Sequence, residues 1–169
     1  MSKALSFNMR LLAHHELQGF GGIGEGMALQ QTRDGRRILW LAHEAAPKNF
    51  TGVDVTDPRA PRVVVQTDLP HAKMRSNSLD VTGDVMAVAY QVSQVGLKPA
   101  GFDLFDVKNP ERPKLISHFD ASGPHSRGVH QVWFVDGEFV HMSSGAADFQ
   151  PRFPEDDQIY RIVDVRNPA

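Results

Sequence analysis

The sequence predicts an all-β fold built from a recurring unit, and three ladders of matched residues predict it. The first is a phrase of the form apolar-Asp-Val-x-(Asp/Asn)-Pro, found at 53–58, 105–110 and 163–168. Its aspartates, Asp54, Asp106 and Asp164, stand 52 and then 58 residues apart. The second runs through Arg10-Leu11-Leu12, Arg62-Val63-Val64 and Lys114-Leu115-Ile116, with Leu11, Val63 and Leu115 spaced by 52. The third is Pro70-His71, which recurs as Pro124-His125, 54 residues on. No long segment keeps an i, i+3, i+4 apolar pattern free of Gly and Pro, so no helix is expected.

Each unit reads as four short strands. In the first, Met27–Gln31 reaches Asp34-Gly35 and then Arg37–Ala42. In the second, Ser78–Val81 reaches Gly83-Asp84 and then Val85–Tyr90. In the third, His130–Val135 reaches Asp136-Gly137 and then Glu138–Met142. Asp-Gly between β-rich runs signals a hairpin, and a type I′ turn is expected because it takes positive φ at both central residues. A third strand then ends on the Asp-Val of the phrase. The Asn/Asp-Pro step stops that strand and opens a turn. A fourth strand follows at Arg62–Thr67 or Lys114–Phe119.

Four antiparallel strands per unit is the pattern of a β-propeller blade. The expected blades span 20–69, 70–121 and 124–169, with 10–17 as an outer strand of a closing blade. Known rings use roughly 4–8 blades. The expectation is therefore a partial propeller, completed by further sequence or by another chain. Open blade edges would favour self-association.

The phrase, followed by x-x-Pro and another apolar strand, resembles the LVIVD-repeat family, with Ile162-Val163-Asp164-Val165 as its nearest copy. The similarity covers about residue 20 to the end. It implies a bacterial or archaeal β-propeller, often at the cell surface, in a family mostly without assigned activity.

Composition narrows the function classes. Net charge is −2, so there is no general basic footprint for nucleic acid or an anionic membrane. The absence of Cys removes disulfides, thiolate catalysis and Cys-based zinc sites. No apolar run is long enough to span a bilayer. Asn8 and Arg10 interrupt the N-terminal apolar stretch, which does not suit a secretory leader, so a cytoplasmic chain is expected.

Candidate chemistry centres on loops that lead into the innermost strands. His71, Arg75 and Asn77 in one unit match His125, Arg127 and His130 in the next. With Lys73 they form an expected rim for a small anionic ligand or a protein partner. The competing reading is a metal-dependent, hydrolytic site with Glu25, His43 and His130 around a divalent ion. His43 is expected where a loop leaves the second strand. No local His-Glu-x-x-His spacing supports the metal, and propellers host both binding and catalysis, so enzyme activity stays open.

Other features read as structural. Gly19–Gly26 contains a formal G-x-G-x-x-G, but a hairpin follows where a dinucleotide site needs a helix. These glycines would instead permit close packing. Ser143-Ser144-Gly145 lacks a nucleophile elbow. Glu155-Asp156-Asp157 is expected to face solvent, with a loose calcium loop as the functional alternative. Asp54, Asp106 and Asp164 are expected to accept hydrogen bonds from the following turn or from an adjacent strand. Trp40, Trp133, Phe105 and Phe119 are expected between blades.

Overall fold

The computed structural model describes residues 8–168. Part of the N-terminal stretch weighed as a leader, residues 1–7, lies outside them, as does Ala169. The first sheet is the meander β1 (Ile23–Gln31), β2 (Arg37–His43), β3 (Lys48–Asp54) and β4 (Arg62–Asp68). In the second, β5 (Met74–Arg75) and β6 (Leu79–Thr82) both pair with β7 (Val85–Val92), followed by β8 (Gly101–Asp106) and β9 (Lys114–Asp120). A small hairpin, β10 (Ser122–Gly123) with β11 (Ser126–Arg127), leads to the third sheet. That sheet holds β12 (Val129–Trp133), β13 (Phe139–Ser144) and β14 (Ile159–Asp164). All pairings are antiparallel. The helical turns among the described residues are two 3₁₀ segments, Leu17–Gly19 and Pro154–Asp156.

The hairpins form where expected, with different turn chemistry. Thr82 pairs directly with Val85, and Gly83 has φ +59° while Asp84 stays outside the left-handed region. That is the type II′ arrangement, with glycine first. At Asp34-Gly35 the loop closes through Gly35 N–H to Thr32 O at 3.0 Å and Thr32 N–H to Arg36 O at 2.9 Å. Only its glycine has positive φ, as in a three-residue loop with a glycine bulge. The expectation of type I′ turns fails: at Asp34-Gly35 and Asp136-Gly137 only the glycine has positive φ, and the aspartate side chain accepts hydrogen bonds from its own loop. Asp136, for instance, accepts from Glu138 N–H at 2.8 Å and Phe139 N–H at 2.9 Å.

The recurring phrase makes one local structure three times. Asp54, Asp106 and Asp164 end β3, β8 and β14. Each Oδ1 accepts from the backbone N–H two residues on: Thr56 at 2.9 Å, Lys108 at 2.9 Å and Arg166 at 3.1 Å. The intervening valine donates back to the start of the second strand of its own sheet. Val55 bonds Arg37 O, Val107 bonds Asp84 O and Val165 bonds Glu138 O, at 2.8, 2.8 and 2.9 Å. The expected role of these aspartates therefore holds at every copy.

The sheets stack, and strand pairing shows which residues share a side. Ile38, Trp40 and Ala42 leave the front of the first sheet and meet Met86, Val88 and Tyr90 on the back of the second. Ala87, Ala89, Phe102 and Leu104 leave the front of the second sheet and meet Val132, Val140 and Met142 of the third. β7 is covered on both sides and is apolar almost throughout. Trp40 and Phe50 pack edge to face at 5.8 Å, and the indole N–H donates to Gln30 Oε1 at 3.0 Å. Leu17 covers Leu41 and Val53 on the back of the first sheet.

Two expectations change here. The stretch 10–17, expected as an outer strand, forms no β-strand; the described sheets are not closed into a ring, which the expectation of a partial assembly already allows. β4 and β9 already occupy the outer edges of the first two sheets, and β14 belongs to the far end of the stack. Trp133, expected between sheets, is instead 69 % exposed on the open front of the third sheet. Trp40, Phe105 and Phe119 do pack between sheets.

Candidate functional site

The glycine-rich run brings the inner ends of the sheets together. Gly24 and Gly26 belong to β1, which runs against the backbone of Asn77–Leu79. A Cβ on Gly26 would lie 2.2 Å from Leu79 N, and Gly26 N–H donates to Asn77 O at 3.0 Å. The run is a packing device, and a strand follows it rather than a helix. Asn77 is fully buried and its Nδ2 donates to His130 O at 3.3 Å. Its Oδ1 has no partner among the described residues.

Around this point a chain of polar contacts passes through all three sheets. Glu44, just after β2, receives a hydrogen bond from Arg75 of β5. Arg75 also donates through Nε to Gln91 Oε1 on β7 at 3.0 Å. The same Gln91 oxygen lies 3.3 Å from His130 Nδ1 on β12. His130 Nε2 is 3.9 Å from Glu25 Oε2 on β1. The chain thus leaves the first sheet at Glu44 and returns to it at Glu25.

Two clefts open beside this chain. One, of about 260 Å³, is lined by Glu44, Lys73, Arg75, Gln91 and Arg127 among others. The second, of about 750 Å³, is lined by His125, Arg127, Arg152, Glu155 and Asp157 among others. Arg127 borders both. Its Nε and Nη2 grip Asp157 in a two-point contact at 2.6 and 3.0 Å. Burial pushes the Asp157 carboxyl up, but the hydrogen bonds from Arg127 and Gln158 outweigh it and hold the group below its ordinary value. The Asp157 hydrogen bond raises Arg127 further.

The sequence-derived residues divide accordingly. Arg75 and Arg127 share a cleft, and Asn77 and His130 join directly beside it. His125 is exposed on the second cleft. His71 is a loop brace: Nε2 contacts Lys98 O at 3.1 Å, and Nδ1 accepts from Lys73 N–H at 3.2 Å. Of the metal set, Glu25 and His130 approach each other, whereas His43 is not in a loop. It ends β2, is buried, and bonds Thr51 Oγ1 through Nε2 at 2.8 Å. Burial lowers its pKa. Among the described residues no three imidazole or carboxylate groups converge as a metal site.

Sequence reasoning misses Gln91, notes Glu44 only as the neighbour of His43 where a loop leaves the second strand, and weighs Asp157 only within the acidic run Glu155-Asp156-Asp157. Glu44 and Gln91 directly follow the second strand's core residues, a position that counting along the repeat finds in both units. Asp157 was expected in solvent and is 2 % exposed, because the Arg127 guanidinium gives it a partner inside. No protein-family model matches the chain, and neither does any curated protein.

Proposed function

We propose that the chain is a sector of a β-propeller built from LVIVD-like blades and serves as a binding module for a small anionic ligand. The ligand would sit at the inner rim, against Lys73, Arg75 and Arg127. One observation carries this reading: Arg75 and Arg127, 52 residues apart in the repeat, line one cleft of about 260 Å³. The arginines are oriented in advance by Glu44 and Asp157, so less rotamer freedom is lost on binding. Those carboxylates also offset much of the positive charge. The exposed ammonium of Lys73, with no ion pair among the described residues, supplies the remaining attraction.

Citrate and inorganic phosphate are suitable probes, titrated while backbone amide shifts of Lys73, Arg75 and Arg127 are followed. Lys73→Ala and Arg75→Ala should each weaken the bound probe about tenfold or more, since a hydrogen bond to a charged group contributes about 1.5–3 kcal/mol. Arg127→Lys keeps a charge beside Asp157 but should weaken binding through loss of the planar fork. Unchanged affinity in all three variants, or no shift with either anion, rejects the rim assignment.

A further inference from the structure

We propose that residues 10–16 of a second copy of this chain supply the fourth strand of the third sheet. The open front of that sheet then docks on the back of the second copy's first sheet.

The front of the third sheet is built like an interior. Counting back two and four residues from the phrase aspartate gives Leu104 and Phe102 in the second sheet and Ile162 and Tyr160 in the third. Leu104 and Phe102 are 2 % and 1 % exposed, because the third sheet covers them. Ile162 and Tyr160 are 53 % and 70 % exposed, and Trp133 stands beside them on the same side. A contiguous apolar face of this kind marks a docking surface.

The matching surface is the back of the first sheet. Met27 pairs with Leu41 and Leu29 with Leu39, so all four share that side. Met27 and Leu29 are 58 % and 57 % exposed. In the second and third sheets the equivalent back faces are buried against the preceding sheet. The two open faces lie at opposite ends of the stack, so one chain in this arrangement cannot bring them together.

The N-terminal segment identifies the occupant. Arg10 precedes Met27 of β1 by 17 residues, as Arg62 of β4 precedes Leu79 of β6. Residues 10–16 therefore stand to the first sheet as β4 stands to the second: they are the outer strand of whatever sheet packs on its back. Leu17 already lies on that back, and its carbonyl accepts from Gln66 Nε2 at 3.0 Å. What the segment lacks is a three-stranded sheet with an unpaired outer edge, and among the described residues the third sheet is one, at β14. The repeat also sets the register. By analogy with Asp54–Arg62 and Val53–Val63, Asp164 faces Arg10 and Val163 faces Leu11. The Arg62–Asp54 ion pair at 3.5 Å then reappears between copies as Arg10–Asp164. Two copies joined this way bury both open faces of both chains and have two-fold symmetry.

The test uses the 169-residue chain. Light scattering should give twice the mass of one chain, and Met27→Glu should return it to a monomer with an unchanged far-UV spectrum. The chain has no Cys, so Leu11→Cys and Val163→Cys, made in separate preparations and mixed, should form a disulfide-linked pair under mild oxidation. Leu11→Cys mixed with Tyr160→Cys should not. A monomer at high micromolar concentration would overturn the proposal and leave the faces to further sheets or a different protein. A dimer that survives Met27→Glu, or that cross-links equally out of register, would also overturn it.

Discussion

Replacing Gly26 with alanine tests the contact that holds the first sheet against the second. The new Cβ would lie 2.2 Å from Leu79 N and 2.7 Å from Ser78 Cα. Non-bonded heavy atoms attract best at roughly 3.5–4.0 Å, so β1 and β6 must separate by about 1 Å or more. The obstructing atoms are backbone, and no change of rotamer relieves them. Overpacking of this kind costs about 1–3 kcal/mol. Loss of the Gly26 N–H bond to Asn77 O adds about 1 kcal/mol. Together the expected loss is about 2–4 kcal/mol. At about 2–4 °C per kcal/mol for a chain of this size, melting should fall by roughly 4–16 °C. Urea titration followed by tryptophan fluorescence measures it, because Trp40 is buried between these sheets. Gly21→Ala is the control, since nothing lies within 4 Å of its added Cβ. A Gly26→Ala loss no larger than the control's, within about 0.5 kcal/mol, would refute the close-packing argument.

Three further outcomes are expected. Alanine at Asp54, Asp106 and Asp164 should cost about 1 kcal/mol at the most buried copy. The loss should decline in that order, because Asp54 is buried, Asp106 half-buried and Asp164 exposed; equal losses in urea titration would contradict this. Arg127→Ala leaves the buried Asp157 with only Gln158 as a side-chain partner and should cost about 2–3 kcal/mol. Adding Asp157→Asn should recover part of that cost, and strictly additive losses would show that the two side chains are uncoupled. Stability should also vary with pH in two windows. Asp120, held down to about 2 by hydrogen bonds from Ser122 and by Lys98, contributes fully above its unfolded value near pH ~4 and loses that contribution as pH falls toward 2. His118, raised by its hydrogen bond to Asp103, contributes fully below about pH 6.5 and loses that contribution as pH rises through its folded value. Urea midpoints measured across pH should flatten in the upper window for His118→Gln; an unchanged slope there would remove His118 from the account.

Most strands were legible because local chemistry places their ends. Gly35, Gly83 and Gly137 mark the hairpins, and Asp57-Pro58 and Asn109-Pro110 mark the exits of β3 and β8. The split of the second sheet's inner strand into β5 and β6 was not legible. It depends on Ser76, whose hydroxyl is used by the neighbouring β2–β3 hairpin through His43 N–H and Asn49 O. Part of the rim was legible through the recurrence of Arg75 and Arg127. Asp157 was not, because an ion pair between residues 30 apart leaves no spacing rule to read, and Glu44 and Gln91 emerge only when positions are counted along the repeat. Residues 10–16 carry the pattern of a strand, but pattern alone does not supply a partner edge. His43 shows the same limit: a histidine at a strand end reads alike whether it faces a loop or Thr51 inside.

The aspartate turn after each third strand is made only from atoms of its own unit. The carboxylate, the N–H two residues on and the carbonyl that receives the valine all come from one sheet. A gene that gained, lost or exchanged a unit at this joint would not have to rebuild the turns of the units beside it. The demanding part of such an event lies in the faces, where glycines on one sheet must meet bare backbone on the next. Copy number and compatibility are therefore controlled at different places in the chain, and chimaeras should be cut at the Asn/Asp-Pro step while keeping each front with its own back.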